Sequence, residues 1–315
     1  MRICLLAGGT GGAKLASGFD ALVAPGELTV IANTADDVEM WGLHVSPDVD
    51  AVILRLAGLF NDVAGYGVRD DTDAALEMMR RLGEPDWFRL GDRDLALHVL
   101  RTRLLREGMR LSEITLSICA RLGLSNFVLP MSDDRVRTWF ETDLGRLDFQ
   151  DYFVRERTRP AVYGVGFEGL SEATASPEAM AALEQADLVV IGPSNPLISI
   201  EPILRLTSDN VRPPLTVAVS PIVGGVALKG PTVEMMRSTG RDPSPLGVAA
   251  EYAGRAGTFV LDIKDSDQAP AIEALGFRVV SLNTVMDGPD GARRLAAEIV
   301  STVPGGTARD GVGGP

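Results

Sequence analysis

Apolar residues run from Ile3 to Ala7, give way to glycines, and return with helical spacing to about Val23 before a second apolar run at Leu28 to Ala32. Short apolar runs bounded by turn residues read as buried strands and the period of 3.6 between them as a helix, so the chain opens as a βαβ unit. From Asp70 to Leu122 the spacing changes. It predicts helices around Asp71–Leu82, Arg93–Arg106 and Ser112–Leu122, broken by Gly83-Glu84-Pro85 and Gly108, which we read as a helical insertion at about 66–124. Strand-like runs return at Phe127–Leu129, Leu188–Ile191 and Leu215–Val219, each followed by a polar or glycine-rich loop, and αβ alternation continues to about Val303. The expected fold is α/β, an open, mostly parallel, doubly wound sheet. One domain would span 1–303, and residues 304–315, rich in glycine and poor in apolar side chains, would be a flexible, disordered tail.

In such a sheet, ligands sit beyond the carboxyl ends of the strands. The loops expected there are Gly8–Lys14, Asn33–Asp37, Pro130–Asp134, Gly192–Pro196 and Ser220–Pro231.

Composition narrows the classes. With 30 Lys+Arg against 43 Asp+Glu and a net charge of -13, the chain lacks the basic face that nucleic acid or an anionic membrane requires. No apolar run approaches the ~20 residues that span a bilayer, and the N-terminus meets glycines too soon for a signal segment, so a cytoplasmic location is expected. Cys4 and Cys119 sit in apolar patterns far apart, which points to core thiols rather than a disulfide or zinc site.

Gly8-Gly9-Thr10-Gly11-Gly12-Ala13-Lys14 joins the first strand to the first helix, where unpaired amides and the helix dipole favour a phosphate. It matches neither a P-loop nor the dinucleotide fingerprint, and a tight turn is the plain alternative. Asn33-Thr34-Ala35-Asp36-Asp37 and Ser46-Pro47-Asp48-Val49-Asp50 gather four acids in fifteen residues. Magnesium is held by one or two carboxylates plus water and phosphate oxygens, so a subset suffices; singly, each acid is equally an N-cap or a solvated charge. Trp87-Phe88-Arg89, followed by Asp92, suits stacking of a flat ring with its polar edge fixed, or else a capped loop. Ser194 and Asn195 after the Leu188–Ile191 run offer hydrogen bonds to a base or sugar. Ser220 opens a glycine-rich stretch in which Lys229 is placed to meet a phosphate. His44 and His98 accompany no nucleophile motif and are read as packing residues, and Met78-Met79 and Met235-Met236 as core filler.

In this order the motifs closely resemble the 2-phospho-L-lactate transferases of coenzyme F420 biosynthesis. The likeness rests on Gly8–Lys14, Asn33–Asp37, Ser46–Asp50, Gly91–Asp94, Pro130–Asp134, Phe149-Gln150, Gly192–Pro196 and Ser220–Ile222 with Lys229–Pro231, and it covers nearly the whole chain. The resemblance implies a Rossmann-like core with a helical subdomain and a Mg²⁺ requirement. It implies transfer of a phospholactyl or phosphoenolpyruvyl group from a guanosine-diphospho donor to the deazaflavin Fo (7,8-didemethyl-8-hydroxy-5-deazariboflavin), GMP leaving, in a homodimer. It puts the deazaflavin contacts on Asp50 and Arg89 and the metal-proximal acid on Asp36; Ala35 stands where many members have glycine. Taken together, the expected catalytic set is Asp36, Asp50 and Lys229, with Asp36 and Asp50 at the metal. The expected substrate contacts are Gly9, Thr10, Gly11, Gly12, Lys14, Asn33, Asp37, Asp50, Arg89, Asp92, Ser132, Asp133, Ser194, Asn195 and Ser220. Two other classes share parts of the pattern: a nicotinamide-dependent oxidoreductase, which would need the full glycine fingerprint, and a non-enzymatic nucleotide-sugar-binding regulator, which a UDP-sugar titration would reveal.

Overall fold

The computed structural model describes residues 1–227 and 230–303; Lys229 and the 304–315 tail lie outside the described residues. The first unit is β1 (Ile3–Ala7), α1 (Gly9–Asp20) and β2 (Leu28–Ala32). A short hairpin, β3 (Val38–Met40) with β4 (Leu43–Val45), then leads into α2 (Pro47–Leu56). Helices α3 (Ala74–Arg81), α4 (Asp92–Arg106) and α5 (Leu111–Arg121) follow, then β5 (Phe127–Pro130). A separate antiparallel sheet is made of β6 (Arg137–Thr142), β7 (Gly145–Asp148) and β8 (Val162–Glu168). The chain returns through α6 (Pro177–Gln185), β9 (Leu188–Ile191), α7 (Glu201–Thr207) and β10 (Thr216–Val219). It ends with the two-residue strands β11 (Ile222–Val223) and β12 (Val226–Ala227), α8 (Thr232–Ser238), α9 (Pro245–Glu251), β13 (Thr258–Asp262), α10 (Ala269–Glu273), β14 (Arg278–Leu282) and α11 (Gly288–Ser301).

Seven strands form one parallel sheet in the order β14-β13-β10-β9-β1-β2-β5. Chain direction across the sheet reverses between β1 and β9, which pair in register from Ile3↔Leu188 to Leu6↔Ile191. That is the switch point of a Rossmann-like, doubly wound fold, where helices leave toward opposite faces and a crevice opens.

Alternation along the strands divides the core. Ile3, Leu5 and Ala7 of β1 face a layer made by α1, α2, α5 and α11, to which Leu15, Ile53, Ile118 and Leu295 contribute. Cys4 and Leu6 face the opposite layer, where Leu183, Ile203, Met236 and Phe140 pack. Both thiols are buried, and burial alone pushes Cys4 up to about 12 and leads the shift of Cys119 to about 11, so neither is a nucleophile near neutral pH.

Two expectations are corrected here. Gly8–Lys14 is not a loop: only Gly8 lies outside the helix, because α1 starts at Gly9. Its glycines are there for close packing, since a Cβ on Gly12 would stand 2.6 Å from that of Ala7, and one on Gly11 2.6 Å from the Pro193 carbonyl oxygen. Met78 is 52% exposed rather than core filler, because α3 buries only Leu76; Met235 and Met236 are buried as expected.

Candidate active site

Two cavities open at the carboxyl end of the sheet and share Gly9, Thr10, Asp48 and Gly65 in their walls. The first, a crevice of about 500 Å³, lies at the switch point. From the expected set it receives Gly9, Thr10, Gly11, Lys14, Asp36, Ser194, Asn195 and Ser220. The second, about 320 Å³, is walled by Trp87, Phe88, Arg89 and Leu90 from the loop before α4, by Asp50 and Leu54 of α2, and by Asp94 and His98 of α4.

The crevice is headed by the first turn of α1, whose amides find no partner inside the helix. Gly8 donates its N–H to Ser194 Oγ at 3.0 Å, and Ser194 Oγ donates back to the Gly8 carbonyl at 2.7 Å, which ties the β1 and β9 loops across the switch point. Gly9, at φ +61, donates to Asp48 Oδ1 at 2.7 Å. Asp48 also accepts from Asn33 Nδ2 at 3.1 Å. Burial outweighs both bonds, so its carboxyl is pushed up to about 6. Asp36, 3% exposed, is held by Thr138 Oγ1 at 2.9 Å, and burial followed by the neighbouring Asp48 charge raises it well above the ordinary carboxylate range. Two buried acids thus stand at the crevice, Asp36 disfavoured by the Asp48 charge and Asp48 by that of Asp37.

Asp50 is arranged differently. Arg101, fully buried, reaches both of its oxygens, Nη1 to Oδ2 at 3.0 Å and Nη2 to Oδ1. The structure therefore brings Asp36 and Asp48 to the crevice and places Asp50, already neutralised by Arg101, in the aromatic cavity. Arg89 grips Asp73 at 2.9 to 3.1 Å and keeps about a third of its surface exposed. Trp87 and Phe88 meet edge to face, centroids 5.8 Å apart, and Arg155 lies 4.3 Å over the Trp87 ring.

Other expected residues support the walls without lining either cavity. Asn33 braces Asp48 and the Ala35 amide. Asp37 is held by Ser46 Oγ at 2.8 Å and His44 Nε2 at 2.9 Å. Asp92 accepts from the Ala74 and Ala75 amides and Thr72 Oγ1, securing the start of α3. Asp133 holds the start of α5 through Ser112 and pairs with Arg110, while Ser132 Oγ donates to the Thr174 carbonyl. Gly12 packs against β1.

Sequence reasoning missed several lining residues, among them Gly65, Tyr66 and Ser199 in loops and helices with no motif, and it passed over Asp48 and His98. Asp48 was seen as one of four acids but not singled out; the signal was its place two residues after Ser46, at the start of an amphipathic helix led by Pro47. His98 is buried, as a packing residue would be, yet it also faces the aromatic cavity.

A doubly wound sheet with its walled crevice at the switch point and a second cavity opening from it defines a ligand-binding α/β protein of the Rossmann-like class. Known proteins carry the assignment further. Residues 3–273 match the family 2-phospho-L-lactate transferase CofD. The 2-phospho-L-lactate transferase of Methanopyrus kandleri is 41% identical over 309 residues, 96% of this chain and 98% of that one. Those of Methanococcoides burtonii and Methanosarcina mazei are 40% and 36% identical over 94% of this chain and 98% of theirs. A crystal structure of a UPF0052 family member from Bacillus halodurans shares the fold, with a TM-score of 0.61 over 95% of this chain and 98% of that one at 15% identity. The chain belongs to the 2-phospho-L-lactate transferase family and is a transferase of the kind that serves F420 biosynthesis. Among the described residues no helix is long and apolar enough to cross a membrane.

Proposed function

We propose that this protein transfers a phospholactyl or phosphoenolpyruvyl group from a guanosine-diphospho donor to the deazaflavin Fo and releases GMP. The observation that carries the reading is the meeting of the two cavities at Gly9 and Asp48. A diphosphate at the first turn of α1 and a flat ring beside Trp87 and Phe88 would bring phosphorus and acceptor hydroxyl together at that junction.

Displacement at phosphorus needs in-line positioning and neutralised charge more than covalent help. Here the Gly9, Thr10 and Gly11 turn and Lys14 would face the donor phosphates, while Ser194, Asn195 and Ser220 would face the remainder of the nucleotide. The Fo hydroxyl oxygen bonds to phosphorus as the bond from phosphorus to the GMP phosphate oxygen breaks, and the hydroxyl proton passes to the departing GMP phosphate or to water. Asp36 and Asp48 are the residues that would hold Mg²⁺, which when bound supplies positive charge against the phosphate oxygens. Arg89 and Asp50 line the cavity that would take the acceptor ring, Asp50 held in place by Arg101. A homodimer is part of the proposal, on the resemblance to the family.

The test is a product assay with Fo, Mg²⁺ and the lactyl and enolpyruvyl guanosine-diphospho donors in turn. Release of GMP with formation of the phosphodiester-linked deazaflavin is expected from at least one donor. Folded protein that gives product with neither overturns the reading.

A further inference from the structure

The aromatic cavity contains a donor and an acceptor that the protein leaves unused. His98 is 1% exposed, and its Nδ1 faces Arg101 Nη1 at 3.4 Å. A guanidinium can only donate, so against Arg101 the tautomer that fits has its lone pair on Nδ1 and its proton on Nε2, with Asp50 Oδ2 3.8 Å from Nδ1. That N–H has no hydrogen-bond partner among the described residues. The nearest acceptor, Asp94 Oδ1, is 3.5 Å away, beyond an ordinary hydrogen bond. Asp94 itself is 9% exposed and lines the same cavity, and no hydrogen bond reaches its carboxylate oxygens among the described residues. A buried N–H and a nearly buried carboxylate left open together are costly unless a ligand meets both.

The other charge in this wall is already answered. Arg101 takes both oxygens of Asp50, so the Asp50 carboxylate is neutralised from behind, whereas Asp94 has, among the described residues, the His98 ring at 3.5 Å as its ion-pair partner and no hydrogen bond. The chemistry that fits an acceptor and a donor 3.5 Å apart is an edge carrying N–H and C=O side by side, as in a cyclic amide or imide.

We propose that Asp94 and His98 read the imide edge of a pyrimidinedione ring, Asp94 accepting its N–H and His98 Nε2 donating to the adjoining carbonyl. This deepens the proposed function and rests on the reading that the deazaflavin ring occupies this cavity. It assigns the selection of the heterocycle to two residues on one face of α4, four positions apart, next to the Trp87 and Phe88 rings. A ring with the same flat area and no N–H at that edge is rejected because it leaves the Asp94 carboxylate without a partner.

The experiment is a fluorescence titration of Fo and of Fo methylated at the imide nitrogen, each into wild type, Asp94→Asn and His98→Phe. Wild type is expected to bind Fo at least about tenfold more tightly than the methylated compound, the size of one lost charge-assisted hydrogen bond. In Asp94→Asn that preference should shrink to about twofold or less, while His98→Phe weakens both compounds together. A residue that merely supports the wall would not change the ratio. Equal binding of the two compounds by wild type, which needs no variant to fold, overturns the proposal while leaving the deazaflavin reading intact. An undiminished preference in a folded Asp94→Asn variant does the same. Failure of wild type to bind Fo at all removes the deazaflavin reading and the proposal with it.

Discussion

Asp48 accepts two hydrogen bonds and still has its carboxyl raised from 3.8 to about 6, so burial exceeds what the Gly9 and Asn33 groups return. A folded-state value above the unfolded one means that the native protein holds the extra proton between about pH 4 and 6. Ionising Asp48 therefore lowers stability as pH rises through that window, by about 3 kcal/mol once it is complete; Asp36 shifts in the same direction. In thermal unfolding with chelator present, the Tm of Asp48→Asn relative to wild type should move in the variant's favour as pH rises from 4 to 7.5. A difference that stays flat across the range would show that Asp48 ionises freely. Mg²⁺ at the Asp36–Asp48 pair should reverse the penalty: it raises the Tm of wild type more at pH 7.5 than at pH 5, and Asp48→Asn loses most of that gain. Equal Mg²⁺ stabilisation of both proteins places the ion elsewhere. Arg101 poses the opposite case, a buried cation whose removal strands a carboxylate. Arg101→Met should cost about 3–5 kcal/mol in denaturant unfolding, and adding Asp50→Asn should recover a large part, since breaking one partner of a buried pair is worse than removing both.

At the level of elements, the site exists because two helix starts are pressed together. The first turn of α2 brings Asp48 onto the amide of Gly9 at the first turn of α1, and α1 is in turn held against α11. Gly18 allows that last contact, since a Cβ there would stand 2.2 Å from the Ala292 carbonyl oxygen. Gly18→Ala should force the helices apart and cost about 1–3 kcal/mol, seen as a Tm lowered by several degrees; an unchanged Tm would mean that α11 shifts freely. How far the sequence reveals these elements follows from their burial. The inner strands β1 and β9 are covered on both faces and read as continuous apolar runs, whereas the edge strand β14, with Arg278 and Ser281 exposed, does not. The β6–β8 sheet escaped notice because Arg137, Trp139 and Glu141 face out between Thr138 and Phe140, and short polar strands blur the alternation. The hairpin β3–β4, three residues a side, is too short for any period. Asp36 and Asp50 stood out as acids in motifs, but that Asp48 joins Asp36 at the crevice and Asp50 meets Arg101 depends on how α2 and α4 pack, which no local pattern carries.

For the molecule as a whole, the geometry constrains the order of events. A crevice at the switch point and an aromatic cavity meet at one wall, and the residues at their junction, Gly9, Thr10, Asp48 and Gly65, include no thiol or amine to take up the transferred group. Both cysteines are buried in the core, and among the described residues the Thr10 hydroxyl donates to the Gly65 carbonyl at 3.5 Å rather than meeting a base. With the Asp48 oxygens taken by the Gly9 and Asn33 groups, the proposed reaction is expected to run as a direct displacement, donor and acceptor bound together before either product leaves. Steady-state rates measured over a matrix of Fo and donor concentrations should give intersecting lines in double-reciprocal plots, the mark of a ternary complex. With donor and Mg²⁺ but no Fo, the enzyme should release no burst of GMP. Arg89→Ala should raise KM for Fo by about 10-fold or more, the size of a charged contact to the ligand, with KM for the donor little changed, because Arg89 lines the aromatic cavity and not the crevice. Parallel lines together with a stoichiometric burst of GMP would instead require a covalent intermediate and would sink the single-displacement scheme. A rise in donor KM equal to that for Fo would mean that the two cavities do not divide the substrates between them.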